Sequence, residues 1–161
     1  MQKSNNVLAV LLILLFVFAL STAAWLSFDA GLDMSRNKIQ GTVLTEAKTI
    51  DAFVLTDNKQ RPFTLQNLKD KWSILSFGYT HCPDICPTTL DTLKQVHFLL
   101  SGQETESTQV VFVSIDYERD KPEVLDEYLS YFSNDFVGVT GSAEGLNDFA
   151  KNLGMYFKKA V

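Results

Sequence analysis

The sequence predicts an α/β domain with a parallel sheet, and three observations carry that prediction. Two continuous apolar runs, Trp72–Tyr79 and Gln109–Ile115, have the length and the β-branched, aromatic content of buried strands. After each of them the apolar residues switch to a helical period: Leu90, Leu93, His97 and Leu100 share one stripe, and Leu125, Tyr128, Leu129 and Phe132 another. A third strand, Phe136–Thr140, is followed by a third helical stripe of Leu146, Phe149, Ala150 and Leu153. Strand and helix in regular alternation imply right-handed βαβ crossovers.

The elements follow in order from local signals. After Lys3 no charged residue appears until Asp29, and Val7–Leu20 is almost wholly aliphatic and aromatic. A helix needs about 20 such residues to cross a bilayer, so residues 1–28 read as one N-terminal transmembrane helix. The small residues Ser21–Ala24 also suit a cleaved secretory signal, but Trp25–Phe28 stays apolar beyond them and Trp suits the interface. Either reading exports the remainder. Residues 29–49 lack periodicity and read as a linker; residues 50–161 are enough for one domain with one core. Phe53–Thr56 and Phe63–Leu65 alternate apolar and polar around the turn-rich Asp57–Pro62, the pattern of an N-terminal hairpin. Pro83 and Pro87 frame a turn, a helix runs from about Pro87 to Leu100, and Gly102 falls in its C-cap region. Met155–Phe157 reads as the start of a further strand, close to the last residue given, Val161.

Composition narrows the function. The chain carries 14 basic and 19 acidic side chains, a net charge of −5, which argues against nucleic acid as a partner. Its only two cysteines, Cys82 and Cys86, lie just past the first apolar strand, where a parallel sheet collects its chemistry. A bridge closing so short a loop adds little stability, so the pair reads as chemical rather than structural. Two thiols at a strand-to-helix turn can exchange a disulfide or hold a soft metal ion. The helix N-terminus favours thiolates, so both sulfurs are expected to be more acidic than a free cysteine.

The other polar candidates have plainer readings. His81 is adjacent to Cys82, so its ring is expected to point away from the sulfur. His97 is about 16 Å along the helix from Cys86 and shares the apolar stripe, so it reads as a packed structural histidine. Asp84 reads first as a turn and helix-start residue, and second as an electrostatic modulator of the pair. Asp116 ends its strand on the cysteine edge and reads as a supporting or partner-docking residue. Asp120-Lys121-Pro122-Glu123 has the form of a capping box, with proline in the first turn.

The run Phe77-Gly78-Tyr79-Thr80-His81-Cys82-Pro83-Asp84-Ile85-Cys86-Pro87-Thr88-Thr89-Leu90 resembles the signature of the Sco/SenC family. Val113–Pro122 and Val139–Ser142 match further family segments in the same order, so the resemblance covers roughly residues 45–160. It implies a thioredoxin-like fold on a single-pass anchor, with the domain on the exported side of the membrane: periplasmic or extracytoplasmic, or in the intermembrane space if mitochondrial. It implies a metallochaperone whose cargo is a copper ion, held by Cys82 and Cys86 and passed to the copper-bearing subunit of cytochrome c oxidase. It also implies a third ligand, a histidine from a later loop, followed by C-terminal strands and a helix; these have no counterpart in the sequence given.

Three alternatives stand beside that reading. Cys82 and Cys86 could be the catalytic pair of a thiol-disulfide oxidoreductase that keeps oxidase copper-ligand cysteines reduced, although such enzymes usually carry two residues between the thiols and this loop carries three. A peroxidase-like reading is weaker, because no arginine lies beside the cysteines in sequence. An inactive truncated paralogue is the plainest alternative.

Overall fold

The computed structural model describes residues 13–22, 41–100 and 102–157. The chain forms two units, Met1–Glu46 and Ala47–Val161. In the first, residues 13–22 are helical (α1), and the Thr22 hydroxyl donates to the Ala19 carbonyl at 3.0 Å. No helix among the described residues is long and apolar enough to cross a membrane. The remainder of the expected anchor (residues 1–28), residues 29–40 of the expected linker, and residues 158–161 lie outside the described residues.

The second unit is built on a five-stranded sheet with the order β2-β1-β5-β4-β3. β1 (Val54–Asp57) and β2 (Pro62–Thr64) form the expected hairpin, pairing Val54 with Thr64 and Leu55 with Phe63. Its turn is organised by Asp57, whose carboxylate accepts from the backbone N–H groups of Lys59 at 2.9 Å and Arg61 at 2.8 Å. An aspartate that captures amides just ahead of it makes such a turn locally favourable. A short 3₁₀ turn over Leu65–Leu68, capped by Thr64 and Asn67, follows the hairpin.

β3 (Trp72–Gly78), β4 (Thr108–Ser114) and β5 (Val137–Thr140) are parallel, and β1 joins β5 antiparallel. Two crossovers connect the parallel strands: α2 (Ile85–Leu99) with the short α3 (Gln103–Glu106) between β3 and β4, and α4 (Pro122–Ser130) between β4 and β5. α5 (Ala143–Asn152) follows β5 and starts on Ser142, whose hydroxyl accepts from the Gly145 N–H at 3.1 Å.

Period-2 alternation along β4 assigns the two layers. Val111 and Val113 face a cluster of Phe53, Leu55, Phe63, Val139, Leu146 and Phe149, so α5 covers that face. Val110 and Phe112 face Leu90 of α2, Leu125 and Leu129 of α4, Phe136 and both cysteines. β4 is therefore buried on both sides, as its continuous apolar run requires. Gly138 lets α4 lie close on β5: a Cβ there would sit 2.8 Å from the Leu129 Cδ1.

Three expectations need correction. β3 is a strand but not a buried one: among the described residues it is the sheet edge, bonded only to β4, and Trp72 is 79% exposed. An apolar run does not distinguish a central strand from an edge strand packed on both faces. Met155–Phe157 is not a strand either. Gly154, at φ +74°, closes α5 in a Schellman motif, with the N–H of Met155 on the Ala150 carbonyl at 2.8 Å and that of Gly154 on the Lys151 carbonyl at 2.9 Å. Of the three residues Phe157 packs against the α5-side core, while Met155 and Tyr156 are exposed. Finally, α2 ends on Leu100 as its C-cap, and Gly102, at φ +53°, opens α3 instead of closing α2.

Candidate dithiol site

The site grows from the carboxyl ends of β3 and β4. The Ile115 N–H bonds to the Gly78 carbonyl at 2.9 Å, tying the two strand ends together. The chain then turns, with the Cys82 N–H on the Tyr79 carbonyl at 3.2 Å, and α2 begins at Ile85. Cys82 thus lies in the loop and Cys86 in the first helical turn. Both are free thiols, and both are buried among the α2- and α4-side core. Gly78 is what admits Cys86: a Cβ at that position would lie 2.8 Å from the Cys86 Sγ and 2.8 Å from the Phe112 ring.

The two sulfurs are electrostatically unequal. Cys82 is held below the ordinary thiol value, first by a hydrogen bond from the Cys86 side chain, then by the backbone amides of Cys86, Asp84 and Ile85. Cys86 is pushed up to about 11, mainly by burial and then by its bond to Cys82. The expectation that both would be acidic therefore holds for Cys82 alone. The free amides of the helix start converge on the loop sulfur, while the helix sulfur sits inward against Gly78.

The carboxylates divide differently from expectation. Asp120 does not cap α4: the N-cap is Lys121, without a side-chain cap bond, and Pro122 opens the helix. Instead Asp120 is fully buried beneath the cysteine loop. It accepts from the Thr80 N–H at 2.8 Å, the Thr80 hydroxyl at 2.6 Å and the Ser114 hydroxyl at 2.5 Å. Glu123, the other half of the expected box, accepts from Gln60 at 2.7 Å. The Asp120 bond to the cysteine loop is what sequence reasoning missed, since no local signal reports a partner 40 residues away.

Asp84 occupies the N-cap of α2 as expected, but its exposed side chain makes no cap bond; its carbonyl accepts from the Thr88 N–H at 3.2 Å. Asp116 is buried in the loop after β4, paired with Arg119, and its N–H bonds to the Ser114 Oγ at 3.1 Å. His81 meets Thr80, with Nδ1 3.0 Å from the Thr80 Oγ1. His97 packs edge-on to Phe136, with ring centroids 6.0 Å apart. Among the described residues no group of three or more His, Cys, Asp or Glu is placed to hold a metal ion.

One further side chain faces the pair. Tyr128 of α4 packs on Phe112 and Phe132, and its buried hydroxyl has no hydrogen-bond partner. Burial raises it to about 12, and charge on Cys86, Cys82 and Asp120 acts in the same direction.

A mixed α/β sheet with two reduced, unequal thiols on a strand-to-helix turn defines a dithiol protein of thioredoxin-like architecture. The chain belongs to the SCO1/SenC family, whose model matches residues 42–161. It is 40% identical over 134 residues to a "Putative copper-binding protein" of Stutzerimonas stutzeri, a match covering 81% of this chain and 66% of that one. It is 45% identical over 105 residues to mitochondrial Protein SCO2 of Saccharomyces cerevisiae, covering 65% of this chain and 35% of the yeast protein. The chain thus spans about two thirds or less of these relatives' length. Among solved structures it resembles apo Sco1 of Thermus thermophilus (42% identity, TM-score 0.68, 74% of this chain and 69% of that one). It also resembles copper-bound ScoI of Bradyrhizobium japonicum (34% identity, TM-score 0.65, 70% and 71%).

Proposed function

We propose that this chain is a copper metallochaperone in which Cys82 and Cys86 hold the ion as cargo. The observation that carries the reading is the pair itself: two free thiols on one turn, one of them already acidic, in a member of the SCO1/SenC family. Soft thiolates select copper(I) over hard cations. Cys82 engages first, as the thiolate, and Cys86 must give up its proton on binding, so affinity rises with pH. Because the described residues offer two sulfurs and no third ligand, another donor completes the site. In this reading residues 1–28 anchor the chain, 29–49 link, and the thioredoxin-like domain of 50–161 works on the exported side of the membrane. In this reading Asp84, between the cysteines, and Asp116, just past the carboxyl end of β4, belong to a docking edge whose client is the copper-bearing subunit of cytochrome c oxidase. The test is copper retained by the reduced protein after desalting, against a Cys82→Ser/Cys86→Ser variant. Retention at or above one equivalent in the wild type and none in the variant supports the reading; equal retention ends it.

The inequality of the thiols favours a second reading, a thiol-disulfide reductase. There the Cys82 thiolate attacks a disulfide, releasing one substrate thiolate and forming a mixed disulfide. Cys86 then gives up its proton and displaces the second, leaving the Cys82–Cys86 disulfide for an external dithiol to reduce. Turnover of a disulfide substrate that is lost in Cys82→Ser separates this reading from the first.

A further inference from the structure

We propose that a cavity at the amino ends of the parallel strands binds a phosphomonoester with a hydroxylated organic part. The inference is independent of the copper reading. Lys71 precedes β3, Gln109 lies near the start of β4 and Val137 opens β5, so the cavity they line is at the opposite end of the sheet from the cysteines.

Charge selects the ligand. The chain as a whole is acidic, yet three cations (Arg61, Lys69, Lys71) line this cavity against one carboxylate (Asp57), which leaves it a net charge of +2. Asp57 is buried and turned onto its own hairpin, accepting from the backbone N–H groups of Lys59 and Arg61 and from the Arg61 Nε at 2.8 Å. That ion pair fixes the Arg61 guanidinium and leaves the rest of its donor fork uncommitted among the described residues. Neither Lys69 nor Lys71 has a carboxylate partner among them. The backbone around these cations is unusual. Gln60, just before Arg61, has φ +61°, and Asp70, between the lysines, has φ +60°. They are the two non-glycine residues with positive φ among the described residues, and such residues collect at ligand-binding sites. A phosphomonoester carries about −1.5 to −2 charges at neutral pH, and its oxygens match a guanidinium fork beside two ammonium groups.

Size and the neutral side chains define the rest of the ligand. The cavity holds about 310 Å³, more than a bare phosphate fills and within the range of small-molecule sites, about 300–1,000 Å³. Buried Phe63 gives its wall an apolar part. The Asn67 Oδ1 accepts from the Thr64 N–H at 2.8 Å and the Thr64 hydroxyl at 3.2 Å, so its Nδ2 is left to donate to an anion. Gln109 spends its Nε2 on the Asn67 carbonyl and the Ser73 hydroxyl, each at 2.7 Å, so its Oε1 is left to accept. One acceptor beside a group of donors suits a hydroxyl next to a phosphate. Glycerol 3-phosphate has that chemistry, and so does the headgroup of lysophosphatidic acid.

The test is equilibrium dialysis of the full chain in dodecyl maltoside, in phosphate-free buffer of low salt, against radiolabelled glycerol 3-phosphate. One saturable site is expected, weakened ~10-fold or more in Lys69→Gln/Lys71→Gln. It should be unchanged in Lys94→Gln/Lys151→Gln, which removes the same charge from exposed positions elsewhere on the domain. Inorganic phosphate should compete less well than the ester, and dimethyl phosphate, a singly charged diester, less well again. Lysophosphatidic acid added to the micelles identifies the source: displacement of the label supports a lipid headgroup as the ligand, and its absence supports a soluble ester. No saturable binding at millimolar ester overturns the proposal, and so does an equal loss in the two lysine pairs. Competition by inorganic phosphate as strong as by the ester also overturns it, since the organic part would then make no contact. None of these outcomes bears on copper retention, which is read from the cysteine double variant.

Discussion

The two faces of the sheet are packed from the same strand and serve different ends. On the α5 side, Val111 and Val113 meet Phe53, Leu55, Phe63, Val139, Leu146 and Phe149, a cluster without a heteroatom in its side chains. Phe53 and Phe149 rings lie 4.4 Å apart there. On the α2 and α4 side, Val110 and Phe112 meet two sulfurs, with the Tyr128 ring beside them and the Asp120 carboxylate behind the loop. The first face stabilises by area and packing alone. The second places two unequal free thiols within its apolar packing. Disturbing the first face should therefore change stability and leave the thiols alone; disturbing the second should change both.

The largest effect is expected from Phe149→Ala on the purely apolar face. Truncating a fully buried phenylalanine costs about 3–5 kcal/mol. The urea midpoint should fall accordingly, while the rate of Cys82 alkylation in the remaining native protein stays at the wild-type value. A change in alkylation comparable to that of a site variant would show that the faces are coupled.

Asp120→Ala comes next and should split its effect. It leaves the Thr80 N–H, the Thr80 hydroxyl and the Ser114 hydroxyl without their acceptor, and an unsatisfied buried donor costs about 1–3 kcal/mol. A stability loss of about 2–3 kcal/mol is expected. It should be accompanied by loss of amide-exchange protection confined to the Thr80–Cys86 loop. Uniform loss of protection across β4 would mean that Asp120 supports the core and not the loop.

Alkaline titration sharpens the contrast between the thiols themselves. Cys86 is raised from 9.0 to about 11, so its contribution to folding is complete below the unfolded value and is lost as pH rises through the folded one. Cys82 is lowered, so its contribution is present above the unfolded value and lost as pH falls through the folded one. Between pH 9 and about 11 the reduced protein should therefore lose stability that a Cys86→Ala variant keeps. Parallel curves for the two proteins across that window would remove the inequality of the pair.

Much of this contrast was legible in the sequence, and the limits of legibility are physical. The strands, the three helical stripes and the hairpin follow from periodicity, because burial on one face repeats at a fixed spacing whatever lies opposite. The cysteine turn was legible for the same reason: it follows a strand and precedes a helix. What did not follow depends on partners distant in sequence. Asp120 fits a capping box locally, yet its carboxylate turns back to Thr80, 40 residues earlier. The edge position of β3 depends on strand order, which its own apolar run does not encode. The high proton affinity of Cys86 comes mainly from burial, and Phe112, which closes on it beside Gly78, belongs to another strand.

The smallest effect is expected at Tyr128, and it tests the cost of the second face most directly. Its stripe position marked it as core-facing, and its ring packs on Phe112 and Phe132, but the hydroxyl is buried without a partner. A hydroxyl that makes no bond in the folded state gives up its bonds to water on folding and gains nothing in return. Tyr128→Phe should therefore be neutral or stabilising, within about 1 kcal/mol, in contrast to the usual loss when a buried tyrosine hydroxyl is removed. On the α5 face the buried residues named above are all hydrocarbon, so none of them offers a comparable hydroxyl to delete. If Tyr128→Phe instead destabilises the reduced protein by more than about 1.5 kcal/mol, the hydroxyl has an acceptor in solution. The Cys86 sulfur and Asp120 are then the groups to examine, because both already act on Tyr128 through their charge. In that case the polar face would be a connected network, and Asp120→Ala and Tyr128→Phe would fail to add in a double-mutant cycle.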